Sequence, residues 1–280
     1  MEQRAWERKA PPWLREPARR ARVFLATDLI LQRLDLIWCL VVRDLRVRYR
    51  RSTLGLIWSM LLPLLNMLVF AVVFSAVFGF HVENYTVYAL TGILFWNFFH
   101  QNVIGSMNSL SRNASILKKL PVAKAVFPVA TVLSGVVNLS LALVPLFVLL
   151  LVTRHPLRPA LLFLPVAILV AALFALGVGL LLSPLAIFFT DVVELVSVVL
   201  MLVMYLTPVF YPIEIVPEKF RWVVQLNPVR VVLDTFRDPI YRGTLPSPFH
   251  LSVALTIALV ALGVGVVAFR RSSDRIPFYL

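Results

Sequence analysis

The sequence predicts an all-α integral membrane protein with six transmembrane helices, and three observations carry that prediction. Of the 280 residues, 60% are hydrophobic and the mean hydropathy is +0.87, against roughly 45–50% apolar residues in soluble domains. Six apolar runs reach or approach the roughly 20 residues a helix needs to cross a hydrocarbon core of about 30 Å; they lie near 55–78, 87–107, 127–152, 160–182, 191–211 and 250–269. The basic residues behind the formal net charge of +13 cluster between these runs. A nucleic-acid partner would need them spread over a folded polar face, so none is expected.

The elements follow in order. Residues 1–30 carry Arg and Lys without the continuous apolar core and small-residue cleavage site of a signal peptide, and are expected to form a cytosolic tail. Over 31–52, Leu34, Ile37, Trp38, Val41, Val42 and Leu45 recur at helical spacing, with Gln32, Arg33, Asp35, Arg43, Asp44 and Arg46 largely opposite. The pattern predicts an amphipathic interface helix on the cytosolic membrane surface, with Trp38 and Tyr49 suited to the headgroup level. A plain polybasic anchor for anionic lipid is a compatible alternative.

Within "RDLRVRYRRSTLGLIWSMLLPLLNMLVF" (43–70) five arginines fall in nine residues before the chain turns apolar. Pro63 removes a backbone hydrogen bond there and lets the first span bend. A six-span domain is expected over 53–272, followed by a cytosolic tail at 273–280. Twenty of the 27 Lys and Arg residues fall on the side that holds both termini, which places both termini in the cytosol.

Before the last span, 212–246 is too polar to cross and is punctuated by proline. Pro217 opens a helix that ends near Leu226, Asn227 and Pro228 break it, and a second helix gathers Val231, Val232, Thr235, Phe236 and Ile240 on one face. A re-entrant hairpin dipping into the outer leaflet is expected.

Reactive groups are sparse. Cys39 is the only cysteine, so there is no intrachain disulfide or cysteine-rich metal site. His81, His100, His155 and His250 are scattered and make no metal site. His100, inside the second span, reads as a hydrogen-bonding residue between helices, with a ligand or catalytic role as the alternative. Asp234 and Asp238, four apart, suit either surface pairing with Arg230 and Arg237 or a cation or hydroxyl-rich ligand. Asp191 and Glu194 complement a helix N-terminus.

No G-x-x-x-x-G-K-[ST] phosphate loop occurs, so any ATP must be bound by another chain. Gly177, Gly179, Gly263 and Gly265 lie in apolar spans and read as sites of close helix packing. Aromatic residues remain: Trp58, Phe70, Phe74 and Phe78; Phe95, Trp96, Phe98 and Phe99; Tyr205, Phe210 and Tyr211. They serve as lipid-facing belts or packing groups, or line a path and stack on sugar rings.

Four stretches carry a family resemblance: "RDLRVRYRRSTLGLIWSMLLPLL", "NASILKKLPVAKAVFP", "LTPVFYPIEIVPEKFRWVVQLNP" and "NPVRVVLDTFRDPIYRG". Spread over 43–243, they resemble the membrane subunit, or permease, of type-2 ABC exporters, in the branch that exports O-antigen or teichoic-acid polysaccharide. One departure is Thr190 in "FFTDV", where that family suggests an arginine before the acid.

The resemblance implies a multi-pass protein of the bacterial cytoplasmic (inner) membrane, a homodimer with a translocation path at the dimer interface, and two separate ABC ATPase subunits that hold ATP and Mg. This chain then has no catalytic, cofactor or metal residues. Ile116, Leu117, Lys118 and Lys119 would form a coupling helix for the ATPase, with Arg43 and Arg46 on the amphipathic helix as a second contact. Trp58, Phe70, Phe74, Trp96, Phe99, Tyr205, Phe210 and Tyr211 would line the path. By charge, Arg48, Arg50 and Arg51 suit a pyrophosphate at the cytosolic entrance, with retention for topology alone as the alternative reading. An exporter of drugs or other small hydrophobic molecules is the alternative within the same fold. A membrane-embedded glycosyl or polyprenyl transferase is the alternative of another class.

Overall fold

The computed structural model describes residues 34–47, 65, 84–119, 122–153, 156, 158–273 and 275–276, and among these every regular element is a helix. The first predicted span lies outside the described residues apart from Leu65, and so do Trp58, Phe70, Phe74, Arg48, Arg50 and Arg51.

The described helices are α1 (34–47), α2 (Tyr85–Arg112), α3 (Ala114–Lys119), α4 (Val126–Val152), α5 (Leu164–Phe188), α6 (Val192–Leu206), α7 (Glu218–Gln225), α8 (Pro228–Arg237) and α9 (Pro248–Ser273). A 3₁₀ turn at Pro159–Phe163 leads into α5, and α8 widens into a π turn at Asp238–Arg242. Pro239 explains the widening: it has no N–H to return to the carbonyl four residues back, so the chain closes through a larger ring.

Three stretches among the described residues are long and apolar enough to cross a membrane: Val126–Val152, Pro159–Phe188 and Pro248–Ser273. They match the predicted third, fourth and sixth spans. The second predicted span is the helix α2, whose 28 residues rise about 42 Å. It carries Asn97, His100, Gln101 and Asn102 and lies deepest in the bundle, packed against α4 and α5.

The predicted fifth span is shorter as a helix than its apolar run. Its 15 helical residues rise about 22 Å, less than a hydrocarbon core. The helix stops because Pro208 forces the residue before it out of the helical region, and Thr207 is extended at φ −98°, ψ 135°.

Apolar burial cannot drive helix association when lipid is as apolar as leucine, so packing contacts decide it. Phe95 stacks on Phe99 at 6.4 Å between ring centroids, and Phe99 on Phe174 of α5 at 5.2 Å. Asn102 is buried and donates its side-chain amide to the Phe98 carbonyl of its own helix at 2.7 Å. Between α5 and α9 the backbones themselves meet: a Cβ on Gly177 would lie 2.4 Å from the Ala261 carbonyl carbon, and one on Gly265 would lie 2.2 Å from the Gly177 oxygen.

The expectation that glycines mark close packing therefore holds for this pair and for Gly179, where a Cβ would lie 2.7 Å from the Ser106 Cβ of α2, but not for Gly263, where among the described residues nothing lies within 4 Å. Gly177→Val should separate α5 from α9 and cost about 1–3 kcal/mol, as overpacking does. Gly263→Ala should leave stability within about 1 kcal/mol of the parent, a helix-propensity effect alone. Thermal unfolding of the two variants in detergent checks the contrast, and equal losses would contradict it.

Candidate functional site: the two ends of the central helix

The end of the bundle that the sequence reading places outside is organised by the break after α6. Once Pro208 stops the helix, the carbonyls of its last turn and of the irregular segment to Tyr211 have no intrahelical donors. Thr207 serves the Val203 and Met204 carbonyls, and side chains from α2, from α8 and from Asn227 just before α8 supply others. Arg237 of α8 donates from Nη1 to the Pro208 carbonyl at 2.8 Å and from Nη2 to the Val209 carbonyl at 3.0 Å. Tyr88 of α2 shares its hydroxyl proton between the carbonyls of Pro208 (3.1 Å) and Tyr211 (2.9 Å), and Tyr85 donates to Phe210 at 2.8 Å. Asn227 donates to the Thr207 hydroxyl at 2.8 Å, while its own Oδ1 caps α8 by accepting from the Val229 N–H.

Arg237 is 3% exposed, and among the described residues no carboxylate approaches it within salt-bridge distance. Its charge rests on two carbonyl dipoles and on the Tyr88 ring, whose centroid is 4.0 Å from the guanidinium carbon. Among the described residues Nε has no hydrogen-bond partner. The approach requires Gly92, since a Cβ there would sit 2.3 Å from Nη2 and 2.5 Å from the Val209 oxygen.

The surface pairing expected of Arg237 is thus corrected. Asp234 pairs with Arg230 at 3.1 Å and Asp238 with Arg242 at 3.4 Å, while Arg237 turns inward. Burial raises the Asp238 carboxyl above its usual value, against the opposing pull of Arg242. Among the described residues, no cluster of His, Cys, Asp and Glu could hold a metal. Beside Asp191, Thr190 donates its hydroxyl to the carboxylate at 3.1 Å.

The opposite end is built on a second core. Leu40 and Val41 of α1 are buried with Leu110, Val126, Phe127, Phe269 and Ile276, and Ile116 and Leu117 of α3 pack partly against them. Lys124 donates to the Ser273 carbonyl and ties the segment after α3 to the end of α9. The apolar stripe of α1 is split: Ile37, Val41 and Leu45 turn towards this core, while Leu34 and Trp38 are exposed, Trp38 at 67%. Arg43 is folded inward onto Asn113, with its side chain also against Asp44, whereas Arg46 is exposed. Lys118 and Lys119 are exposed at the end of α3.

Of the aromatic residues read as path-lining, Trp96 and Phe99 are buried within the bundle. Tyr205 is exposed, and Tyr211 donates its hydroxyl to the Tyr205 carbonyl at 2.8 Å. Phe210 is half-buried beside the Tyr85 hydroxyl. Sequence reading missed Tyr85, Tyr88, Gly92 and Asn113. One signal was available for Arg237: it sits one turn from the buried Leu233 and next to Phe236 on a strongly amphipathic helix.

Arg237→Met keeps the volume and removes both donors, leaving the Val209 carbonyl buried without one. The expected loss is about 1–3 kcal/mol, read as a lowered unfolding midpoint in detergent. Arg230→Met, which breaks only a partly exposed helical ion pair, should cost less than about 1 kcal/mol.

Residues 35–241 match the family described as ABC-2 type transporter. The O-antigen export system permease protein RfbA of Klebsiella pneumoniae is 31% identical over 244 residues, covering 86% of this chain and 93% of the relative. The protein of the same name from Myxococcus xanthus is 29% identical over 226 residues, with 80% and 86% covered. The capsule polysaccharide export inner-membrane protein CtrC of Neisseria meningitidis is 26% identical over 256 residues, with 88% and 94% covered.

Proposed function

Because this chain belongs to the ABC-2 type transporter family, we propose that it is the permease subunit of an ATP-driven exporter that moves a lipid-linked polysaccharide across the bacterial cytoplasmic membrane. The observation that carries this reading is similarity along nearly the whole chain to proteins named for O-antigen and capsule polysaccharide export.

In this reading the chain has six spans with both termini in the cytosol, works as a homodimer, and leaves ATP and Mg to two ABC ATPase subunits. Its own residues move or yield; they perform no bond chemistry. Lys118 and Lys119, exposed at the end of α3, meet the ATPase, while Ile116 and Leu117 fix α3 to the bundle from beneath. A push on α3 enters α2 directly, since a single residue separates the two helices. The other end of α2 carries Tyr85, Tyr88 and Gly92, which grip the segment after α6 and Arg237 of the outer hairpin. The central helix thus joins the cytosolic contact to the exit as a rigid element.

Tyr205 faces outward and suits stacking on a sugar ring, with Phe210 and Tyr211 next to it. Trp96 and Phe99, being buried, support the wall from within the bundle. Arg48, Arg50, Arg51, Trp58, Phe70 and Phe74 complete the entrance and the path in this reading.

The deciding experiment reconstitutes the chain with its copurifying ATPase in vesicles. Stimulation of ATP hydrolysis by a polyprenyl-linked glycan, together with loss of surface polysaccharide on gene deletion, is expected. Stimulation by small hydrophobic compounds alone, with surface polysaccharide intact, would replace the reading by drug export. The division of labour on α3 predicts a further contrast. Lys118→Ala with Lys119→Ala should lower export about tenfold or more at normal membrane insertion. Leu117→Ala, which opens a packing defect, should mainly reduce the amount of folded protein, measured by quantitative blotting of membranes.

A further inference from the structure

The turn between α2 and α3 is a single residue, Asn113, and every polar group described for it is engaged. Its N–H donates to the Leu110 carbonyl at 3.1 Å, which closes the last turn of α2. Its own carbonyl accepts from the N–H groups of Ile116 and Leu117, both at 3.0 Å, which starts α3. Its side-chain Nδ2 donates to the Ser109 carbonyl at 2.7 Å, holding the side chain against α2. That leaves Oδ1 facing α1, where it accepts from Nη1 of Arg43 at 2.7 Å across 70 residues of sequence.

We propose that Asn113 is a joint that locks α1 and α3 into one moving body, so that Arg43 acts as an internal tether between the interface helix and the coupling helix, not as a contact to the ATPase. The proposal deepens the transport reading and rests on it for the origin of the push.

Three features make the joint more than one surface contact. Asn113 is 7% exposed, so the bond from the guanidinium is charge-assisted and shielded at its acceptor end. Asp44 takes Nε and Nη2 of Arg43 at 3.0 and 2.7 Å, which orients the fork so that Nη1 is aimed at α2's end. Beside the bond, Leu40 and Val41 share one buried cluster with Leu110 and with Ile116 and Leu117, so the two helices are also packed through the same hydrophobic seat. A displacement of α3 by the ATPase then carries α1 with it, and through α1 the chain that leads into the first predicted span. Without the joint, α3 pushes α2 alone and the start of the first span lags.

The test uses the full chain with its copurifying ATPase in vesicles. Spin labels are placed on the natural Cys39, exposed on α1, and on a Ser115→Cys substitution at an exposed position of α3. The parent should give one narrow distance distribution that is the same without nucleotide and with ATP and magnesium. Arg43→Leu and Asn113→Leu, each alone, should broaden it and lower glycan exported per ATP hydrolysed about tenfold, with insertion and hydrolysis near parental levels. Asn113→Asp keeps an oxygen for Arg43 and should hold the parental ratio; in an Arg43→Leu background it should not.

A distance that changes with nucleotide in the parent overturns the joint. So does a fall of export, hydrolysis and inserted protein in the same proportion, which is what a purely structural role gives. If the complex exports no glycan, the transport reading fails, and the distance distributions alone still decide for or against the joint.

Discussion

A backbone buried in a helical bundle or in the hydrocarbon core of a bilayer has no water to turn to, so any break in a helix there must find donors for the carbonyls it frees. In this protein that constraint is concentrated after α6. The carbonyls of Val203, Met204, Tyr205 and Leu206 accept from Thr207, Tyr211 and Asn227, and Val209 closes on Thr207. The carbonyls of Pro208, Val209, Phe210 and Tyr211 depend on α2 and α8 through Tyr85, Tyr88 and Arg237. Each donor sits where its own helix can lend it: two tyrosines one turn apart at the start of α2, and an arginine at the end of α8. The pair of short helices α7 and α8 is therefore fastened to the bundle by the need to satisfy a broken helix, with apolar contact filling in around it.

The same accounting explains why a buried guanidinium is tolerable there. An isolated charge at 3% exposure would be prohibitive. Two carbonyl dipoles and an aromatic face offset the lost hydration without a carboxylate, and a carboxylate would itself have to be desolvated. A lysine would not reproduce the arrangement, because its compact ammonium lacks the planar fork that lies over the Tyr88 ring while two separate nitrogens donate to successive carbonyls.

Much of the architecture was legible because it is written in long apolar runs and in proline. The third, fourth and sixth predicted spans needed only composition and length, and the two short hairpin helices needed Pro217 and the pair Asn227 and Pro228. The early end of α6 was less visible, since an apolar run continues past Pro208 even though the helix does not. Sites were harder. Arg237 and Arg43 each look like ordinary surface charges in sequence, and each turns inward onto a partner far along the chain, Pro208 in one case and Asn113 in the other. Periodicity reports which face of a helix is apolar. It does not report which part of that face meets protein, and α1 shows the consequence: its stripe is divided between a buried core and an exposed Trp38.

Placing the two fastenings at opposite ends of one helix has a mechanical meaning. A helix of 28 residues with hydrogen-bonded turns throughout is stiff along its axis, and its buried middle, with Phe95, Phe99 and Asn102, resists sliding against α4 and α5. In the proposed transport reading, force applied at Asn113 leaves as a shift of the whole rod or as a change at the grip formed by Tyr85, Tyr88 and Arg237. At that grip the acceptors of Tyr85, Tyr88 and Arg237 are backbone carbonyls, which belong to the chain path itself, so the grip fixes where the segment after α6 runs, whatever side chains it carries.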